Sequence, residues 1–138
     1  TIMKKILDLS SNINVLINSP FKLNTSRYYI NVNLIDRPTT PLIHAIKWSR
    51  FDCVDMLLEY GADINFNTNF TSPLLELIRI KNHDLIIKFI KMGANCNFIS
   101  ESNPYLYGFD STTPLILAIK IGCYSEVSTL LKNGANPN

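Results

Sequence analysis

Few residues in this chain combine the type and spacing that chemistry needs. The two histidines, His44 and His83, lie in separate segments with no nucleophile or acid partner at motif spacing. No Gly-rich phosphate loop, Gly-x-Ser-x-Gly, His-Glu-x-x-His or Cys-x-x-Cys occurs. The three cysteines, Cys53, Cys96 and Cys123, are odd in number and widely spaced, which suggests neither a disulfide framework nor a zinc ligand set. A reducing, cytoplasmic compartment is the simplest reading. Cys53 and Cys96 occupy apolar positions and are expected to be buried structural thiols, while Cys123 follows Gly122 at a turn and is expected to be exposed. The sequence therefore predicts no catalytic residue, no metal, no cofactor and no enzyme activity.

The residues that remain informative form rows rather than clusters. Lys47, Arg79 and Lys120 make a basic row, and Trp48, Ile80 and Ile121 make an apolar one beside it. Tyr28 and Tyr29, and again Tyr105 and Tyr107, form aromatic pairs. Trp and Arg often dominate protein interfaces, so these ten positions are the candidate protein-binding residues. The alternative for Trp48 is packing beneath a neighbouring loop, and for the tyrosines it is burial within their own loops.

An internal repeat sets those rows. Thr40-Pro41-Leu42-Ile43-His44-Ala45-Ile46, Ser72-Pro73-Leu74-Leu75-Glu76-Leu77-Ile78 and Thr113-Pro114-Leu115-Ile116-Leu117-Ala118-Ile119 line up. Each is followed by a second block: Gly61-Ala62-Asp63-Ile64-Asn65, Gly93-Ala94-Asn95-Cys96-Asn97 and Gly134-Ala135-Asn136-Pro137-Asn138. The proline-to-glycine distance is 20 residues in all three. Thr or Ser before Pro marks a helix start. Gly after an apolar stretch marks a helix end that needs a left-handed residue. Helices are expected over 41–48, 52–59, 73–80, 84–91, 114–121 and 125–132, with Ile46, Ile78 and Ile119 in the core. Pairs this short cannot hide their apolar faces alone, so neighbours must stack.

These blocks resemble the ankyrin-repeat family. The resemblance implies an all-α solenoid whose inner helices and β-turn fingers form a concave binding face. It covers repeats at 40–66, 72–98 and 113–138 of a single domain, 1–138. A degenerate N-terminal repeat is read at 1–24, and long fingers at 25–39 and 98–112. The end-of-unit asparagines Asn24, Asn65, Asn97 and Asn138 are spaced 41, 32 and 41 apart, against a usual period of about 33. The chain stops at a repeat boundary, which predicts a longer natural protein.

Net charge is +2, which gives no reason to expect nucleic acid. No apolar run approaches the roughly 18 residues that a membrane span needs. The partner implied is a protein, with the chain a monomer unless its uncapped C-terminal repeat associates. Irregular repeats and 18 isoleucines and 16 asparagines give a further resemblance to poxvirus ankyrin-repeat host-range proteins, which recruit targets to a ubiquitin ligase. The other expectation is a structural spacer within a longer solenoid.

Overall fold

The computed structural model describes residues 39–102 and 110–138. The degenerate repeat at 1–24, most of the first long finger and the tip of the second lie outside the described residues. The chain divides into two compact units, Thr1–Phe66 and Asn67–Asn138. Six helices are described: α1 (Pro41–Lys47) and α2 (Phe51–Glu59) in the first unit, then α3 (Pro73–Arg79), α4 (His83–Lys91), α5 (Pro114–Lys120) and α6 (Tyr124–Lys132) in the second. Among the described residues there is no strand, only isolated bridges between Thr68 and Thr71 and between Ser100 and Thr112. The fold is the all-α repeat solenoid that the sequence predicts.

The helix starts follow from their caps. Thr40, Ser72 and Thr113 are extended, and their hydroxyls accept from the N–H groups of Ile43 (3.2 Å), Leu75 (3.2 Å) and Ile116 (3.3 Å). Proline takes the first helical position of each inner helix, where its missing N–H costs nothing. Each inner helix ends one residue earlier than predicted, so that Trp48, Ile80 and Ile121 are C-caps.

The helix ends share one design. At the outer helices the N–H groups of Ala62, Ala94 and Ala135 reach back to Leu57 (2.9 Å), Phe89 (3.0 Å) and Leu130 (3.0 Å). Gly61, Gly93 and Gly134 hold φ of 87°, 90° and 88°. This is the Schellman motif, in which a left-handed residue turns the chain and the next residue packs on the last turn. The inner helices close in the same way, through Arg50 to Ala45 (2.9 Å), Asn82 to Leu77 (3.2 Å) and Cys123 to Ala118 (2.8 Å). Their left-handed residues are Ser49 (φ 53°), Lys81 (φ 55°) and Gly122 (φ 77°). Two of these three are not glycine.

In the first unit α1 packs on α2, burying Leu42, Ile43, Ala45, Ile46, Val54 and Leu57, with Leu58 half-buried. In the second unit α3 packs on α4 and α5 on α6, and the two pairs stack through α3 on α5 and α4 on α6. Leu74, Leu75, Leu77, Ile78, Ile86, Phe89, Ile90, Leu115, Ala118 and Leu130 form that core.

Three expectations need correction. Ile119 is 53% exposed rather than core. Its counterpart Ile78 is buried because α5 covers that face of α3; among the described residues no helix covers the same face of α5. Cys123 is buried, not exposed. It follows the left-handed Gly122, and the Schellman turn draws it onto Ala118. Cys53 is half-buried rather than buried, whereas Cys96 is buried as expected.

Candidate functional site

In the first unit, α1 presents Lys47 and Trp48 at its C-terminal end, both exposed. Trp48 is 65% exposed, unusual for a residue with so much apolar surface. The left-handed Ser49 turns the chain sharply after it, leaving the indole at the corner between the helices. Its ring lies 6.1 Å from that of His44, tilted by 55°. Burial, and then the charge of Lys47, hold His44 below the usual histidine range. A neutral imidazole beside an indole makes an uncharged plate next to a cation.

In the second unit, the four candidate residues differ from one another. Lys120 is exposed, with Asp110 at 3.8 Å, a surface pair of little energetic weight. Ile80 and Ile121 are half-buried C-caps. Arg79 is committed internally: it donates to Glu76 Oε1 at 2.5 Å and to Thr71 Oγ1 at 3.0 Å, while Thr71 donates to Glu76 at 2.6 Å. The Glu76 side chain is 7% exposed. Its counterparts in the other inner helices are His44 and Leu117, so this buried network belongs to one repeat. The only local signal for it is a Glu three residues before an Arg, with a Thr at the finger base. Tyr28, Tyr29, Tyr105 and Tyr107 lie outside the described residues.

A second polar pair was not foreseen. His83 opens α4 and Glu126 lies in the first turn of α6, and His83 Nδ1 hydrogen-bonds Glu126 Oε1. No spacing rule links residues so far apart in sequence, so only stacking reveals them.

Burial raises the Cys96 thiol above its ordinary value. Burial, followed by the Glu126 charge, does the same to Cys123. Neither is poised as a thiolate nucleophile. Among the described residues no group of three or more His, Cys, Asp or Glu side chains could hold a metal ion. Among them, too, no helix is long and apolar enough to cross a membrane.

Residues 39–69 and 110–138 match the family model for the ankyrin repeat. The helix pair between these matches has the same inner-helix cap, the same Schellman ends and the same 20-residue proline-to-glycine spacing. A comparison with curated proteins gives no match.

Proposed function

We propose that this chain, built from ankyrin repeats, binds an acidic segment of a protein partner through the C-terminal ends of its inner helices. Ankyrin repeats are generally protein–protein interaction modules, and residues 39–69 and 110–138 match that family model. The observation that carries the reading is the 65% exposed Trp48 beside the exposed Lys47. Trp is among the residue types that most often dominate an interface, and a neighbouring cation favours an acidic partner. Lys120, Ile80 and Ile121 supply comparable chemistry in the second unit, and the four finger tyrosines are proposed at the edge. Arg79 acts mainly by holding Glu76 and Thr71, which shapes the surface more than it reads the partner.

The test is affinity capture from cell lysate with the wild-type chain and with Trp48→Ala. Proteins retained by the wild type and lost with the variant support the reading. An identical retained set removes Trp48 from the site.

A narrower form has this chain recruit its target to a ubiquitin ligase as part of a viral host-range protein; its support is the irregular repeats and the isoleucine- and asparagine-rich composition. A second reading, a spacer in a longer solenoid, is favoured by a different observation. Ile116, Ile119 and Leu131 are 44%, 53% and 43% exposed on one face of the third described helix pair. Their counterparts Leu75, Ile78 and Ile90 are covered by that pair.

A further inference from the structure

We infer that Asn133 is a deamidation site, and that conversion of its side chain unlatches the end of the third described repeat from Asn97. Of 16 asparagines, Asn133 alone is followed by glycine. Asparagine is among the thermolabile residue types. Its usual shield is the side chain of the next residue, which crowds the backbone nitrogen that would attack the amide. Gly134 offers no such shield. A carbon added there would meet nothing within 4 Å, and both residues are exposed. The equivalent C-cap positions of α2 and α4 hold Tyr60 and Met92, so the reactive pair belongs to one repeat.

The chemistry needs only water. The Gly134 nitrogen attacks the Asn133 Cγ and gives up its proton. The bond from Cγ to Nδ2 breaks, and Nδ2 leaves as ammonia. A cyclic imide remains, joining the Gly134 nitrogen to both carbonyl carbons of residue 133. Water then opens that ring. Cleavage at Cγ leaves aspartate. Cleavage at the backbone carbonyl leaves isoaspartate, whose main chain runs through the former side chain and is one methylene longer.

The fold holds this reaction back. Asn133 caps α6 at φ −104° and ψ 22°, a helical ψ that turns the Gly134 nitrogen away from the side chain. Asn133 Nδ2 donates to the Thr129 carbonyl at 2.8 Å, and the Gly134 N–H donates to the Leu131 carbonyl at 3.2 Å. Attack therefore requires the last turn of α6 to open. Helix ends open at small free-energy cost, so the folded chain reacts in proportion to that open fraction.

The product does not fit the same turn. A carboxylate at position 133 replaces a donor with an acceptor facing the Thr129 carbonyl, at the negative end of the helix dipole. The longer isoaspartyl backbone also displaces the Schellman closure, in which the Ala135 N–H reaches the Leu130 carbonyl at 3.0 Å. Gly134 and Asn136 lie on that stretch, and Asn97 holds both, each at 2.8 Å. Modification at Asn133 thus reaches the contact between two repeats.

Ageing of the full chain at mildly alkaline pH, in buffer and in guanidinium chloride, tests this with wild type and Asn133→Gln. Intact mass counts the amide-to-acid exchange, and peptide mapping locates it. Glutamine keeps the amide but must close a larger ring, which is far slower. Exchange should appear first at Asn133 and run about tenfold or more slower in the folded chain than in the denatured one. Aged wild type, returned to buffer, should melt at least about 3 °C below fresh protein, while aged Asn133→Gln should not change. Asn133→Asp, made directly, should lower the melting temperature in the same direction without ageing. Exchange that begins at another asparagine, equal rates in folded and denatured chain, or an unchanged melting temperature after conversion would each overturn the inference.

Discussion

The Asn97 side chain bridges two repeats: its Oδ1 accepts from the Asn136 N–H at 2.8 Å, and its Nδ2 donates to the Gly134 carbonyl at 2.8 Å. The side chain of one asparagine thus registers the end of the second described repeat against the end of the third. Asn97→Ala removes both bonds. They are exposed and each has a modest net value, so the expected loss is about 1 kcal/mol, read as a lower urea midpoint at unchanged slope.

Packing sets a larger scale. Leu57 is 2% exposed in the core between α1 and α2. Leu57→Ala should cost about 2–5 kcal/mol through lost burial and the cavity left behind. Leu131, at 43% exposure, serves as the contrast. Leu131→Ala should stay within about 0.5–1 kcal/mol, because much of its surface is already in water. Denaturant unfolding of the two variants checks the difference.

Backbone strain gives a prediction of opposite sign. Ser49 and Lys81 hold φ of 53° and 55° where the other four left-handed positions are glycine. Non-glycine residues pay roughly 1 kcal/mol there. Ser49→Gly and Lys81→Gly should each be neutral to stabilising by up to about 1 kcal/mol, despite the greater freedom glycine gives the unfolded chain. By the same logic Gly93→Ala, at φ 90° with open space around the added carbon, should destabilise by about 1 kcal/mol through conformation alone. Melting temperatures of the three variants order the effects.

What could be read in advance follows from what is local. Thr40-Pro41 and Gly61-Ala62 state a helix start and a helix end within a few residues, so the six helices and their caps were legible. Ser49 and Lys81 carry no glycine to announce their left-handed turns. The apolar row at Ile119 was legible as a pattern, but its burial depends on a covering neighbour. Arg79 was legible as one cation of a basic row and Glu76 only as a position in the repeat, and only the fold shows that Thr71 closes them into a buried network. His83 and Glu126 are joined solely by stacking.

The Arg79 network bears on how the surface should be probed. Arg79→Glu would place two carboxylates where a cation now serves Glu76 and Thr71. A partly buried pair broken in this way should cost about 2–3 kcal/mol of stability. Slower association would therefore come with a lower melting temperature. Lys120→Glu, at an exposed side chain, should slow association with little change in melting temperature. Stopped-flow association at two salt concentrations, beside thermal unfolding, separates the two lysine and arginine roles.

The most direct measurement concerns Trp48. Once a partner has been captured, its dissociation constant and the melting temperature of the chain are determined for wild type and Trp48→Ala. With the indole 65% exposed in the free chain, the substitution should leave the melting temperature within about 2 °C. Affinity should fall by at least about 2 kcal/mol, roughly 30-fold. A lowered melting temperature with unchanged affinity would mean that Trp48 packs within its own chain, and would contradict the proposed binding surface.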